Sequence, residues 1–134
     1  MLLPHGATVA VADGEKLNLF RNAGDEAAPQ LVSLDHAAVD DQINTSGGRH
    51  HSSSANPDNG QQGEDNFAGG IADMLNTRAL AGKIDDLVII AAPRTLGELR
   101  KHYHKALSEK LRGEIAKDLT GHSSDQIAAA IEKA

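Results

Sequence analysis

The part of the sequence that most constrains the fold is the segment of residues 86–101, DLVIIAAPRTLGELRK. Its first half is an unbroken apolar run, which is long enough for a strand and too short for a buried helix. A continuous run, unlike an alternating one, predicts a strand with both faces covered. Pro93 ends the run, and Thr95 with Glu98 has the spacing of a capping box, so we expect a helix to begin there. A strand that leads directly into a helix indicates an open α/β sheet, in which ligands commonly bind at the carboxyl ends of the strands.

Three short strands are predicted before this segment, over residues 8–12, 16–21 and 30–34. The dipeptide Asp13-Gly14 is a strong hairpin signal, and a second turn is expected at residues 23–25, so the three strands form an antiparallel meander.

Three helices and a further strand complete the prediction. The helices are expected over about 65–81, 95–111 and 124–133, and the strand over 114–119 at an edge of the sheet. Gly82 is expected to end the first helix, and Ser123 with Gln126 to cap the last. Because a helical crossover leads to the fourth strand, that strand lies parallel to an earlier one. The predicted fold is a single α/β domain with a five-stranded mixed sheet of order 3-2-1-4-5, the order of a ribonuclease-H-like sheet.

The composition excludes several classes of function. The 134 residues include no cysteine, which rules out disulfides, thiolate zinc sites and cysteine nucleophiles. Only three residues are aromatic, too few for a platform that stacks single-stranded nucleic acid. The net charge of −6 argues against a protein that is basic all over, while a local basic patch remains compatible with it. The N-terminus does not resemble a signal peptide and no stretch has transmembrane length, so we expect a cytoplasmic protein without a membrane partner.

Residues 35–63 differ from the rest of the chain. Apart from Val39 and Ile43 this stretch is almost entirely polar and small, a composition that predicts a mobile loop. A loop of this length within one domain is usually functional or disordered.

Four segments resemble the bacterial "host attachment protein" family: AVADGEK at residues 10–16, LAG at 80–82, AAPRTLGELR at 91–100 and KDLTGH at 117–122. The likeness runs from about residue 8 to residue 131 and is most specific over 93–100. It implies kinship with the middle domain of archaeo-eukaryotic peptide-release factors. In those factors the long loop before the first helix carries a Gly-Gly-Gln tripeptide that enters the peptidyl-transferase centre, and residues 35–63 occupy that place here.

This chain departs from the release factors in that loop. It contains GGR at residues 47–49 and GQQG at 60–63, but no Gly-Gly-Gln. Gln61 and Gln62 are the nearest substitutes and are therefore the candidate catalytic residues.

A basic stripe is predicted on the helix over 95–111. Arg94, Lys101, Lys105 and Arg112 are spaced by seven, four and seven residues, which at about 100° per residue places them within one narrow arc. The helix N-terminus adds positive potential near Arg94 and Thr95, so the five residues are candidate contacts for phosphate groups. The alternative is an ordinary solvated face.

The other chemistry-bearing residues predict no metal site and no cofactor. Asp13 and the pair Asp85-Asp86 are expected at opposite ends of parallel strands, which argues against the acidic centre of a nuclease. Neither His50-His51 nor His102 with His104 has the i, i+4 spacing of a helical metal site.

Three functions follow from these observations. The first is a non-enzymatic module that binds the ribosome or another structured RNA, without sequence-specific DNA recognition. The second is a peptidyl-ester hydrolase that uses a loop glutamine to position water, which the missing Gly-Gly-Gln disfavours. The third is an indirect role in attachment to host cells. The oligomeric state is left open.

Overall fold

Five strands and four helices form the part of the chain that the computed structural model describes, residues 1–34 and 59–134. In chain order they are β1 (Thr8–Ala12), β2 (Leu17–Asn22), β3 (Leu31–Leu34), α1 (Asn59–Leu80), β4 (Leu87–Ala91), α2 (Pro93–Arg100), α3 (Lys105–Lys110), β5 (Leu111–Ala116) and α4 (Ser124–Lys133). None of the helices within these residues has the length and apolarity needed to cross a membrane.

The sheet has the predicted order, β3-β2-β1-β4-β5. The first three strands are antiparallel, whereas β4 is parallel to both β1 and β5. The hairpin between β1 and β2 turns at Asp13-Gly14, as predicted. The Asp13 carboxylate stabilises this turn by accepting hydrogen bonds from the backbone N–H groups of Glu15 and Lys16, at 2.7 and 2.6 Å.

Two apolar cores cover the faces of the sheet. The α1-side core packs α1, α2 and α3 against one face and includes Leu87 and Ile89. The α4-side core packs α4 and the N-terminal segment against the other face and includes Val88 and Ile90. All five residues of β4 are fully buried, which confirms the predicted strand with two covered faces. Two connections join parallel strands, from β1 to β4 and from β4 to β5. Because such connections are right-handed and both move in the same direction across the sheet, both lie on the same face, the α1 side.

Helix α1 begins earlier than predicted, at Asn59 rather than near residue 65. The polar composition of this stretch predicts a loop, yet Gln61, Gln62 and Glu64 are good helix formers and no proline lies between Pro57 and the end of the helix at Leu80. The rest of the predicted mobile loop, residues 35–58, lies outside the described residues. At its other end α1 stops as predicted. Gly82 has φ +75°, and the N–H groups of Gly82 and Lys83 bond to the carbonyls of Ala79 and Arg78 at 3.2 and 2.9 Å.

The edge strand β5 lies three residues earlier than predicted. Residues 117–119 leave the sheet because Leu119 is buried in the α4-side core instead of continuing the strand. The final helix has the predicted bounds, and its capping box is present, with Ser123 and Gln126 each bonded to the other's backbone N–H.

Candidate functional site

The candidate site begins at the junction of β4 and α2. Helix α2 starts at Pro93 with Ala92 as its N-cap and no side-chain cap, so the predicted capping box of Thr95 with Glu98 is wrong. Proline is favoured at the first helical position because its fixed φ suits the helix and it lacks an N–H that would be unpaired there. The helix therefore begins two residues before Thr95. As a result the Thr95 side chain is buried, at 8% exposure, rather than presented to a ligand.

One exposed side of α2 carries Arg94, Glu98 and Lys101, as their spacing of four and three residues requires. The Glu98 carboxylate accepts a hydrogen bond from Lys101 Nζ at 2.7 Å, and His102 Nε2 lies 3.9 Å from its other oxygen. The bond from Lys101 is the largest cause of a lowered pKa at Glu98, to which the charges of Lys101, His102 and Arg94 also contribute. Arg94 and Lys101 thus remain on one side of the helix, with a carboxylate between them.

The predicted single helix over 95–111 is wrong, because the chain leaves the helical path at residues 101–104. Asn76 of α1 causes the break. Its Nδ2 donates to the His102 carbonyl at 2.8 Å, and its Oδ1 accepts from the His104 N–H at 2.9 Å. His104 is then extended and caps α3, with Nδ1 accepting from the Ala106 N–H at 3.0 Å. The backbone groups that would continue the helix are bound to α1 and to this cap.

This break divides the predicted basic stripe. Lys105 is the first residue of α3, and Arg112 lies on β5. Arg112 Nη1 donates to Asp86 at 3.0 Å, just before the amino end of β4, whereas Arg94 follows the carboxyl end of that strand. The two arginines are therefore at opposite ends of β4, and the predicted narrow arc of four cations on one helix is wrong. Arg94, Lys101 and Lys105, which α2 and α3 carry on the same face of the sheet, are called the basic surface below.

A second network fixes the α2–α3 turn to β5. Glu114 accepts a bidentate pair of hydrogen bonds from Arg100, with Nη2 at 2.9 Å from Oε1 and Nε at 3.2 Å from Oε2, and a third bond from the Tyr103 hydroxyl at 2.8 Å. Burial, followed by this bond to a carboxylate, raises the pKa of Tyr103. The phenol is therefore neutral and donates a hydrogen bond to Glu114.

Two carboxylates that could belong to a nuclease centre are separated along the sheet. As predicted, Asp13 and Asp86 lie at opposite ends of the paired strands β1 and β4. The Thr120 hydroxyl lies 2.8 Å from Asp118 Oδ1 and 3.0 Å from Asp13 Oδ2, and bonding to Thr120 is the main reason why the pKa of Asp118 is lowered. Among the described residues, no three His, Asp or Glu side chains are arranged to hold a metal ion. His50 and His51 lie outside the described residues.

The candidate catalytic glutamines, Gln61 and Gln62, lie in the first turns of α1 rather than in a loop. Sequence reasoning missed Asn76 and Glu114, the two residues that shape the α2–α3 turn. Asn76 had one signal, since asparagine is a poor residue for a helix interior and tends to bond to backbone groups. Glu114 had none, because its partners come from other elements.

A known protein family matches this chain over most of its length. The model of the bacterial archaeo-eukaryotic release factor family 12 matches residues 6–131, from before β1 into α4. The predicted kinship with release factors is confirmed, whereas the name "host attachment protein" is not part of that description. No curated protein was found to match the chain. Since the family model covers nearly the whole chain, this protein belongs to the bacterial archaeo-eukaryotic release factor family 12.

Proposed function

We propose that this chain is a non-enzymatic binding module of the translation apparatus that contacts ribosomal or another structured RNA through its basic surface. The observation that carries this proposal is the family match over residues 6–131, because release factors, to which the family is related, act on the ribosome. The match includes every strand of the sheet and all the residues of the basic surface.

The charges of α2 and α3 support RNA as the ligand. Arg94 and Lys105 are exposed, and neither forms an ion pair among the described side chains. The Lys101 side chain is 67% exposed and forms an ion pair with Glu98. The amino end of α2 adds positive potential beside Arg94. The proposal rests on these three residues, since Thr95 is buried and Arg112 lies at the opposite end of β4 from Arg94, where it binds Asp86.

Hydrolysis of a peptidyl ester is the less favoured alternative. It requires Gln61 or Gln62 to position water, and the chain has no Gly-Gly-Gln tripeptide. A peptidyl-tRNA hydrolysis assay that compares the wild type with Gln61→Ala and Gln62→Ala distinguishes the two functions. No observation on the described residues favours a role in attachment to host cells.

The first prediction is that binding weakens as salt rises. Each phosphate contact contributes a slope of about −0.9 in log K against log salt for duplex nucleic acid, so three contacts give a slope near −2.7. The double variant Lys101→Glu with Lys105→Glu removes two contacts and flattens the slope by about 1.8. The measurement is a salt titration of binding to purified ribosomes, in which sucrose-gradient sedimentation gives the bound fraction at each salt concentration.

A matched control separates this effect from overall charge. Lys16→Glu with Lys83→Glu makes the same change in net charge at two exposed lysines outside the basic surface. We expect this control to keep most of the wild-type slope, with circular dichroism showing that all variants are folded. If Lys101→Glu with Lys105→Glu binds like the control, or if the wild type does not bind at low salt, the proposal is wrong.

A further inference from the structure

A groove lies along the free edge of the sheet, between β5 and α4. It has a volume of about 500 Å³, within the range of roughly 300–1,000 Å³ that is typical of ligand sites. Ile115, Leu119 and Ala130 form its apolar floor, and Ala129 of α4 lines one wall. We call it the edge groove.

The strand beside this groove has an unpaired edge. Among the described strands β5 pairs only with β4, so its other side presents backbone N–H and C=O groups without a strand partner. At one end the Met1 side chain covers Gly113, where an added Cβ would collide with it. An edge with an apolar floor next to it suits a further strand better than a helix, because a strand can pair with the backbone and place alternate side chains on the floor.

The charges that line the edge groove are predominantly positive. Lys117 and Lys133 line it, and neither lysine forms an ion pair among the described side chains. Glu114 is the one acidic residue in the lining, and Arg100 and Tyr103 already bind its carboxylate. Asp125 and Glu132 of α4 are outside the lining. An occupant with acidic side chains therefore complements this groove.

We propose that the edge groove binds an extended acidic peptide of a partner protein, which adds to β5 as a sixth strand. The peptide backbone pairs with the free edge, its apolar side chains pack on Ile115 and Leu119, and its carboxylates approach Lys117 and Lys133. The apolar floor disfavours a nucleic acid as the occupant. The groove is on the α4 side of the sheet and the basic surface on the α1 side, so this site is independent of the proposed RNA contact.

The test uses a labelled hexapeptide of alternating aspartate and valine as the probe. Fluorescence polarisation measures its affinity, and amide NMR shifts locate it on the protein. We expect shifts in residues 114–119 and in α4, and none in α2. A hexapeptide with lysine in place of aspartate should not bind. Two further versions of the aspartate peptide are N-methylated at alternate residues, one at the odd and one at the even positions. At least one of them should lose affinity, since methylation of the N–H groups that face β5 blocks backbone pairing.

Variants of the protein test the role of charge. Lys117→Glu with Lys133→Glu should weaken binding of the aspartate peptide about tenfold or more, since each surface ion pair contributes up to about fivefold in affinity. Lys16→Glu with Lys83→Glu should change it much less. Equal binding of the aspartate and lysine peptides, equal affinity of both double variants, full binding of both N-methylated peptides, or shifts confined to α2 would each overturn the proposal. RNA is absent from these measurements, so their outcome does not depend on the first proposal.

Discussion

At the scale of single residues, the side chain of Asn22 at the end of β2 makes several hydrogen bonds to the backbone. Its side chain is fully buried. Nδ2 donates to the carbonyls of Leu3 and Pro4 at 2.9 and 3.2 Å, while Oδ1 accepts from the N–H groups of Gly24 and Gln30, each at 2.9 Å. One asparagine thus joins the N-terminal segment to the β2–β3 turn. That turn needs Gly24, since a Cβ there would collide with the backbone of residues 28 and 30.

We predict that Asn22→Ala destabilises the fold by about 3 kcal/mol or more, because each buried backbone group left without a partner costs roughly 1–3 kcal/mol. Urea unfolding gives the free energy. Asn18→Ala in the same strand is the matched control, because the Asn18 side chain is only half-buried and makes one such bond, to the Thr120 carbonyl at 3.2 Å. Equal losses in the two variants would contradict this explanation of Asn22.

At the scale of elements, the short helix α3 depends on its neighbours. It has six residues, and an isolated helix of that length is not stable in water. Asn76 fixes its start to α1, and Leu107 anchors it in the α1-side core. Because α3 carries Lys105, the position of that part of the basic surface depends on the same contacts.

We predict that Asn76→Ala increases local opening of α3 without unfolding the sheet. The variant frees the His102 carbonyl and the His104 N–H, so amide hydrogens of residues 105–110 should exchange faster while those of β4 keep their protection. Asn66→Ala, at an exposed site on the same helix, is the control and should leave both regions unchanged. An exchange pattern in which α3 and β4 accelerate together would indicate global destabilisation instead.

At the scale of the whole molecule, the sheet separates two cores that share no side chains. Ile89 belongs to the α1-side core and Ile90 to the α4-side core, although the two residues are adjacent in the chain. Both are completely buried. The stability of the fold therefore depends on two separately packed layers around one central strand.

We predict that Ile89→Ala and Ile90→Ala each destabilise the fold by about 2–5 kcal/mol, the usual cost of such a cavity. Since the two side chains pack in different cores, the double variant should lose the sum of both effects within about 0.5 kcal/mol. Urea denaturation of the three variants measures this. A cost well under about 1 kcal/mol at either position would mean that one face of β4 is not covered.

The sequence by itself determined the strand order, the β1–β2 hairpin, the buried nature of β4 and the closing helix with its cap. The hairpin, the buried strand and the closing helix depend on residues that are close together in the chain: the Asp13-Gly14 dipeptide, an apolar run, and the spacing of Ser123 and Gln126. Such local patterns can be read from the sequence where no side chain of another element binds the backbone groups involved, as is the case at these three places among the described residues. The strand order follows instead from the order of the elements, because a helical crossover places β4 parallel to an earlier strand.

Only the tertiary structure decided the shape of the candidate site. The helix predicted over 95–111 is broken by Asn76, which is 26 residues before the carbonyl it binds. Arg112 binds Asp86, which is also 26 residues away in the chain, and Glu114 binds Arg100 and Tyr103 at the α2–α3 turn. Helical periodicity describes where side chains point along one unbroken helix. It contains no information about a side chain from another element that binds the backbone and ends that helix, and for this reason the basic stripe of the sequence became the smaller basic surface of the fold.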